Sequence, residues 1–325
     1  MIGFDRRHFL GAMGTLAAGA WALPANAQPF PTKPVMLVIP FAPGGPTDTM
    51  ARLLATQLAI ELKQPVISDN KGGAGGNVGA AIVARAAPDG YTLLIATNGP
   101  LAANAALFSE LPFNPATDFD PVSLFTFLPN MLAVHPSVPA KNIQELVTYL
   151  KANPSLPYAS GGVGTSSHFA GELFKKMAGV QMEHVPYRGD GQSVPDALAG
   201  NVKVIFCSIL AGMNWTPSGK LRALAVTSAK RVPVVSDLPT VAEQGFPGFD
   251  LTAWYAIMVP AHTPKDVIHT LNAALVKAMS NTEIKAKIEG MGAIVESSTP
   301  EQLKEFIAAE VPRWTKLVKD LGIKL

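Results

Sequence analysis

Val35-Met36-Leu37-Val38-Ile39 is an unbroken apolar run that stops at Pro40 and passes through Pro43-Gly44-Gly45-Pro46 into a segment with helical spacing. An apolar run without alternation predicts a strand buried on both faces, the kind found in α/β sheets covered by helices. Thr47 or Asp48 is placed to cap the following helix, where Met50, Leu53, Leu54, Leu58 and Leu62 recur on one side. The pattern then repeats. Pro65-Val66-Ile67 leads into a glycine-rich turn from Lys71 to Gly76, an alanine-rich helix follows near Val78 to Ala86, and Thr92-Leu93-Leu94-Ile95-Ala96 reads as the next strand. Strands alternating with helices predict a largely parallel sheet with helices on both sides.

A second unit starts near Val122. Leu124 to Phe127 and Met131 to Val134 read as two strands, and Asn142 with Glu145 three residues on has the spacing of a capping box. Another strand, turn and helix begins at Tyr158, with the turn Ser160-Gly161-Gly162-Val163-Gly164 and a helix opening at Thr165-Ser166. Strands are expected at Val202 to Phe206 and Leu221 to Thr227, and Leu251 to Val259 leads out. Two helices are expected to close the chain, one capped by Thr263 before Pro264, the other by Thr299 with Pro300 first and Gln302 at the capping-box position.

Of the 325 residues 48% are hydrophobic and 15% charged, with 26 Lys+Arg against 24 Asp+Glu. That composition is globular. Neither charge sign clusters into a stripe able to neutralise phosphates, so nucleic acid is not an expected partner. The single cysteine, Cys207, rules out an intramolecular disulfide and leaves no second thiol for a zinc or iron–sulfur site. Single cores stop growing near ~250–300 residues, so two lobes are expected.

Residues 1–27 read as a leader: Arg6-Arg7 of twin-arginine type, a short apolar stretch from Gly11 to Ala22, and the small-residue site Ala25-Asn26-Ala27. The apolar stretch is too short to span a membrane, which takes about 20 residues. The expected product starts at Gln28, and removing Asp5, Arg6 and Arg7 leaves 24 basic against 23 acidic residues. It is expected to be soluble and periplasmic.

A helix start presents unpaired N–H groups and a partial positive charge, so a glycine turn running into a helix suits an anion. The turns at 43–48 and 160–166 lie in different expected lobes and bring hydroxyls from Thr47, Ser160, Thr165 and Ser166. Nucleotide loops fail on spacing: Ala74 stands where a dinucleotide loop needs its first glycine, and Gly219-Lys220 is followed by Leu221. Ser166 and His168 raise a periplasmic serine hydrolase as an alternative, without a nucleophile-elbow pattern around them. No histidines have ligand spacing, so neither metal nor cofactor is expected. Cys207, at the end of Val204-Ile205-Phe206, reads as a small core or lining residue.

Pro40-Phe41-Ala42-Pro43-Gly44-Gly45-Pro46-Thr47-Asp48 with Ala51-Arg52-Leu53-Leu54 resembles the first binding loop of the Bug family, the periplasmic solute receptors of tripartite tricarboxylate transporters. Gly73 to Asn77, Pro88 to Leu93, Ser160 to Thr165 with His168, Val185 to Gly189, Gly219 to Thr227 and Pro239 to Glu243 resemble further family motifs in the family's order. The resemblance runs over about residues 33–315. It implies a two-lobed periplasmic-binding-protein fold of flytrap type, each lobe a mixed sheet flanked by helices, that closes over an organic carboxylate and is not an enzyme.

By the same resemblance Gly44, Gly45, Thr47 and Asp48 of the first loop and Ser160, Gly164, Thr165 and Ser166 of the second hold the carboxylate. Asn98 and Gly99 form a third wall, and Tyr187, Arg188 and Cys207 complete the expected site. Cys207 stands where the family often has Asp, and Asp190 in the turn after Arg188 is placed to restore negative character. The expected lobes are 28–120 plus 251–325 and 121–250, joined by a hinge of at least two crossings. The implied partners are the large and small membrane subunits of such a transporter, served by a monomer; a signalling partner is the other receptor reading.

Overall fold

The computed structural model describes residues 30–323, so the expected leader lies outside the described residues. In the first third, β1 (Val35–Ile39), α1 (Pro46–Leu62), β2 (Val66–Asn70), α2 (Asn77–Ala84) and β3 (Thr92–Thr97) alternate as the apolar spacing requires. Next come β4 (Phe119–Val134), α3 (Ile143–Ala152), β5 (Leu156–Ser160), α4 (Ser166–Ala178), β6 (Met182–Pro186), α5 (Asp190–Leu198), β7 (Val204–Ser208) and β8 (Arg222–Val226). The chain ends with β9 (Thr252–Pro260), α6 (Lys265–Ser280), α7 (Thr282–Gly290), β10 (Ile294–Val295) and α8 (Pro300–Leu321).

The strands join in the order β2-β1-β3-β9-β4-β7-β5-β6, with β8 and β10 also on β4. Each half is mixed. β1 runs parallel to β2 and β3, and β5 parallel to β6 and β7, while β4 and β9 are antiparallel to their neighbours. The long β4 is the seam: Phe119 to Pro129 pair with β9, and from Asn130 or Met131 onward it pairs with β7 and β8. Two separate strands were expected here. Pro121 and Pro129 break the apolar pattern, but the strand continues: register shifts follow Pro121, between Pro121 and Ser123 and between Leu124 and Thr126, and Pro129 is the last residue paired with β9. The passage from pairing with β9 to pairing with β7 and β8 therefore lies near Asn130, within one continuous strand.

The return passage runs beside it. Thr227 N–H donates to the Asn130 carbonyl at 2.9 Å, and Leu251 N–H donates to the Thr227 carbonyl at 2.8 Å. The two crossings are thus hydrogen-bonded side by side at Thr227. A second tie comes from α8, whose Trp314 ring packs 5.4 Å from Phe169 of α4 while its Glu310 accepts the indole N–H groups of both Trp254 and Trp314 at 2.8 Å. One apolar core, from Val38 through Leu132 and Phe169 to Trp314, runs through both halves, and a second, from Val35 to Ile288, fills the far face of the first.

Side-chain caps open α3, α4, α7 and α8. Asn142 accepts from Glu145 N–H, and Thr299 with Gln302 makes a full capping box. Two expected caps differ. Gly45 caps α1 with Pro46 at its first position, and Pro264 caps α6, while Thr263 donates to the Pro260 carbonyl instead. Between the two expected closing helices lies α7, capped by Asn281.

Candidate functional site

The ends of β1, β3 and β5, with the turns that follow them, converge on a cavity of about 280 Å³. Strand ends carry it because side chains and free N–H groups there have no further ladder to join, the usual place for ligands in open α/β sheets. Gly45, Thr47 and Asn98 line it from the first half, and Thr165, Ser166, Arg188 and Asp190 from the second.

The first turn is held from behind. Asp48 Oδ2 accepts Gly44 N–H at 2.9 Å, and its Oδ1 accepts from Arg52 Nε and Asn70 Nδ2, each at 2.9 Å. Burial would raise this carboxyl, but those three donors outweigh it and hold Asp48 below the usual carboxylate range. Asp48 and Gly44 do not line the cavity; they fix the turn, leaving the first-turn N–H groups of α1 without intrahelical acceptors. Thr47 reaches Tyr255 Oη at 3.5 Å, and burial lifts that phenol to about 12, so it remains a neutral donor.

Asn98 is 2% exposed and its Nδ2 has no hydrogen-bond partner among the described residues. Unsatisfied buried donors are rare because each forgoes its water bonds without replacement. This one sits in the cavity wall.

In the second half the donors are partly used. Thr165 Oγ1 donates to the Gly162 carbonyl at 2.6 Å and accepts His168 N–H at 3.3 Å, so its one proton is already given to Gly162 while its oxygen caps α4. Ser166 Oγ accepts from Asn130 Nδ2 at 3.0 Å, which leaves its own proton for a ligand. Ser160 is fully buried, bonded to His184 Nε2 at 2.7 Å, outside the cavity. Tyr187 donates to Asp196, Cys207 is buried behind the wall, and neither lines the cavity. Burial, with Asp190 nearby, pushes the Cys207 thiol well up. Arg188 is exposed at the mouth.

Gly99 and Gly164 do not line the cavity either; they close it. An added Cβ at Gly99 would lie 2.8 Å from the Gly164 carbonyl oxygen, and one at Gly75 would lie 2.3 Å from that of Val163. The glycine turns of the two halves therefore touch backbone to backbone.

The Ser166–His168 pair does not form. The His168 ring stacks on His184 at 4.2 Å, and its Nδ1 accepts Gly164 N–H at 3.3 Å. Among the described residues no cluster of His, Cys, Asp or Glu is placed to hold a metal ion. Among the lining groups that escaped the sequence reading are Asn130, Ser208 and Tyr255. Each is a polar residue within or at the end of an apolar strand, and that interruption is the signal that could have found them.

Residues 50–323 match the family described as Tripartite tricarboxylate transporter family receptor. Protein BugT of Bordetella pertussis is 35% identical over 312 residues, covering 95% of this chain and 96% of that one. A solved R. palustris protein with adipate is 36% identical at a TM-score of 0.88, covering 91% of this chain and all of that one. MatC from Rhodopseudomonas palustris with bound malate is 35% identical at a TM-score of 0.84, covering 89% and 100%. The chain belongs to the tripartite tricarboxylate transporter receptor family, the family of the Bug proteins.

Proposed function

We propose that the protein is a non-enzymatic periplasmic receptor that captures a small organic carboxylate between two lobes and delivers it to the membrane subunits of a tripartite tricarboxylate transporter. The observation that carries this is the unpartnered Asn98 Nδ2, buried in the wall of a cavity that also receives the start of α1. Orphan amide donors beside a helix N-terminus match an anionic oxygen ligand. The adipate and malate of the two solved relatives are such ligands.

Gly45, Thr47 and Asn98 hold the carboxylate from the first lobe, Ser166 donates from the second, and Arg188 contributes at the rim. The lobes divide near Asn130 and between Thr227 and Leu251, and closure is driven by the ligand's greater affinity for the closed state. Among the described residues no helix is long and apolar enough to cross a membrane. Export on the 1–27 leader and action as a monomer complete the reading.

A thermal-shift screen against malate, adipate, succinate and citrate tests it. A ligand at 100 times its dissociation constant adds ~2.7 kcal/mol, and the ligand is recovered chemically unchanged. No shift with any carboxylate, or consumption of the ligand, contradicts the reading.

A further inference from the structure

Two charged side chains line the cavity: Arg188, exposed at its mouth, and Asp190, 8% exposed, at the first position of α5. Asp190 is placed as a hydrogen-bond acceptor. Its Oδ2 accepts Ser208 N–H at 2.8 Å, and the start of a nine-residue helix favours negative charge there. Its Oδ1 lies beside the Gly161 turn, where an added Cβ would meet it at 3.1 Å.

What this carboxylate lacks is a counter-ion. Among the described residues no Lys, Arg or His forms a salt bridge with it. Two titratable groups near it, the Cys207 thiol and the Tyr255 hydroxyl, are neutral, and each is pushed up by burial and by Asp190 itself. A buried carboxylate left uncompensated is costly, and burial accordingly raises Asp190 above its ordinary range. An acid in that position repels a second carboxylate and attracts a cation.

We propose that the ligand of this cleft is a small amino carboxylate, its carboxylate held by Asn98 and the first turn of α1 and its ammonium group set against Asp190. This rests on the carboxylate-receptor reading and narrows it. Asn98 on the first half and Asp190 on the second then bind opposite ends of one zwitterion, so the ligand supplies the charge each wall lacks and bridges the halves in doing so.

The test is calorimetry with matched pairs differing only in the amino group: L-aspartate and succinate, L-glutamate and glutarate, L-alanine and propionate. At least one amino member is expected to bind tenfold or more tightly than its partner. Asp190→Asn, which keeps shape and the bond from Ser208, is expected to erase that preference with a melting temperature no lower than that of the wild type. Tighter or equal binding of the des-amino member in every pair overturns the proposal and leaves the carboxylate reading standing; the wild-type comparison decides this even if the variant fails to fold. A preference that survives in Asp190→Asn also overturns it. No heat from either member of any pair overturns the proposal, and binding of malate, adipate or citrate in the thermal screen then decides whether the receptor reading stands without it.

Discussion

Gly99 of the first half and Gly164 of the second meet across the cleft so closely that a Cβ on Gly99 would stand 2.8 Å from the Gly164 carbonyl oxygen. Methyl contact at that distance is not tolerated, so Gly99→Ala forces the two turns apart. The strain, about 1–3 kcal/mol, falls on the closed state. Ligand affinity is expected to drop at least fivefold, with a larger radius of gyration by small-angle scattering in the presence of ligand. An unchanged affinity shows that the turns separate without cost.

Asn98→Leu separates binding from folding. Leucine is close to asparagine in shape and carries no donor, so the unliganded protein loses an unsatisfied buried N–H and gains stability, by about 1–3 kcal/mol at most. Carboxylate affinity falls at the same time. Reduced stability with undiminished affinity places Asn98 outside the ligand's reach.

Thr165→Val is expected to behave in the opposite way. Its hydroxyl caps α4 and holds the Gly162 carbonyl, so the variant loses about 0.5–2 kcal/mol of stability. Any loss of affinity accompanies that drop. A full-strength melting transition with weakened binding restores Thr165 as a direct donor.

These two residues also show how much the chain discloses before it is folded. The strands expected at Val35 to Ile39, Thr92 to Ala96 and Val202 to Phe206 were legible because each contains a continuous apolar run, and the caps at Asn142 and Thr299 because side chain and partner lie within one turn of sequence. The continuity of β4 was not legible, since its pairing partner β9 lies more than a hundred residues away and the register shifts that follow Pro121 leave no local sequence signal. The site divides similarly. Gly45, Thr47 and Asn98 follow from local turns, whereas Asn130 and Tyr255 face the cavity only because β4 and β9 pair across the seam. Thr165 lines the cavity as its turn suggests, but the sequence does not reveal that its proton goes to the Gly162 carbonyl.

The stacked pair His168 and His184 makes the fold acid-sensitive. Burial, with Lys175 nearby, lowers His168 to about 4; burial, then His168 itself, lowers His184 to about 3. Both rings bind protons more readily when unfolded, where a histidine titrates near 6.5. The stability they contribute is therefore fully present above that value and is lost as pH falls from about 6.5 toward 4, by up to about 1.4 kcal/mol per pH unit for each ring. Urea unfolding between pH 7.5 and 5 is expected to show that decline, and His184→Gln to flatten it. A wild-type midpoint constant across the range contradicts the assignment.

The position of a bound carboxylate tests the account most directly. In a crystal structure with the strongest stabiliser from the thermal screen, one carboxylate oxygen is expected within hydrogen-bond distance, about 2.7–3.2 Å, of Asn98 Nδ2, with another facing the first-turn N–H groups of α1. Electron density for the ligand elsewhere, or within the cavity but with Asn98 Nδ2 still unpartnered, contradicts the assignment of this cleft as a carboxylate receptor site.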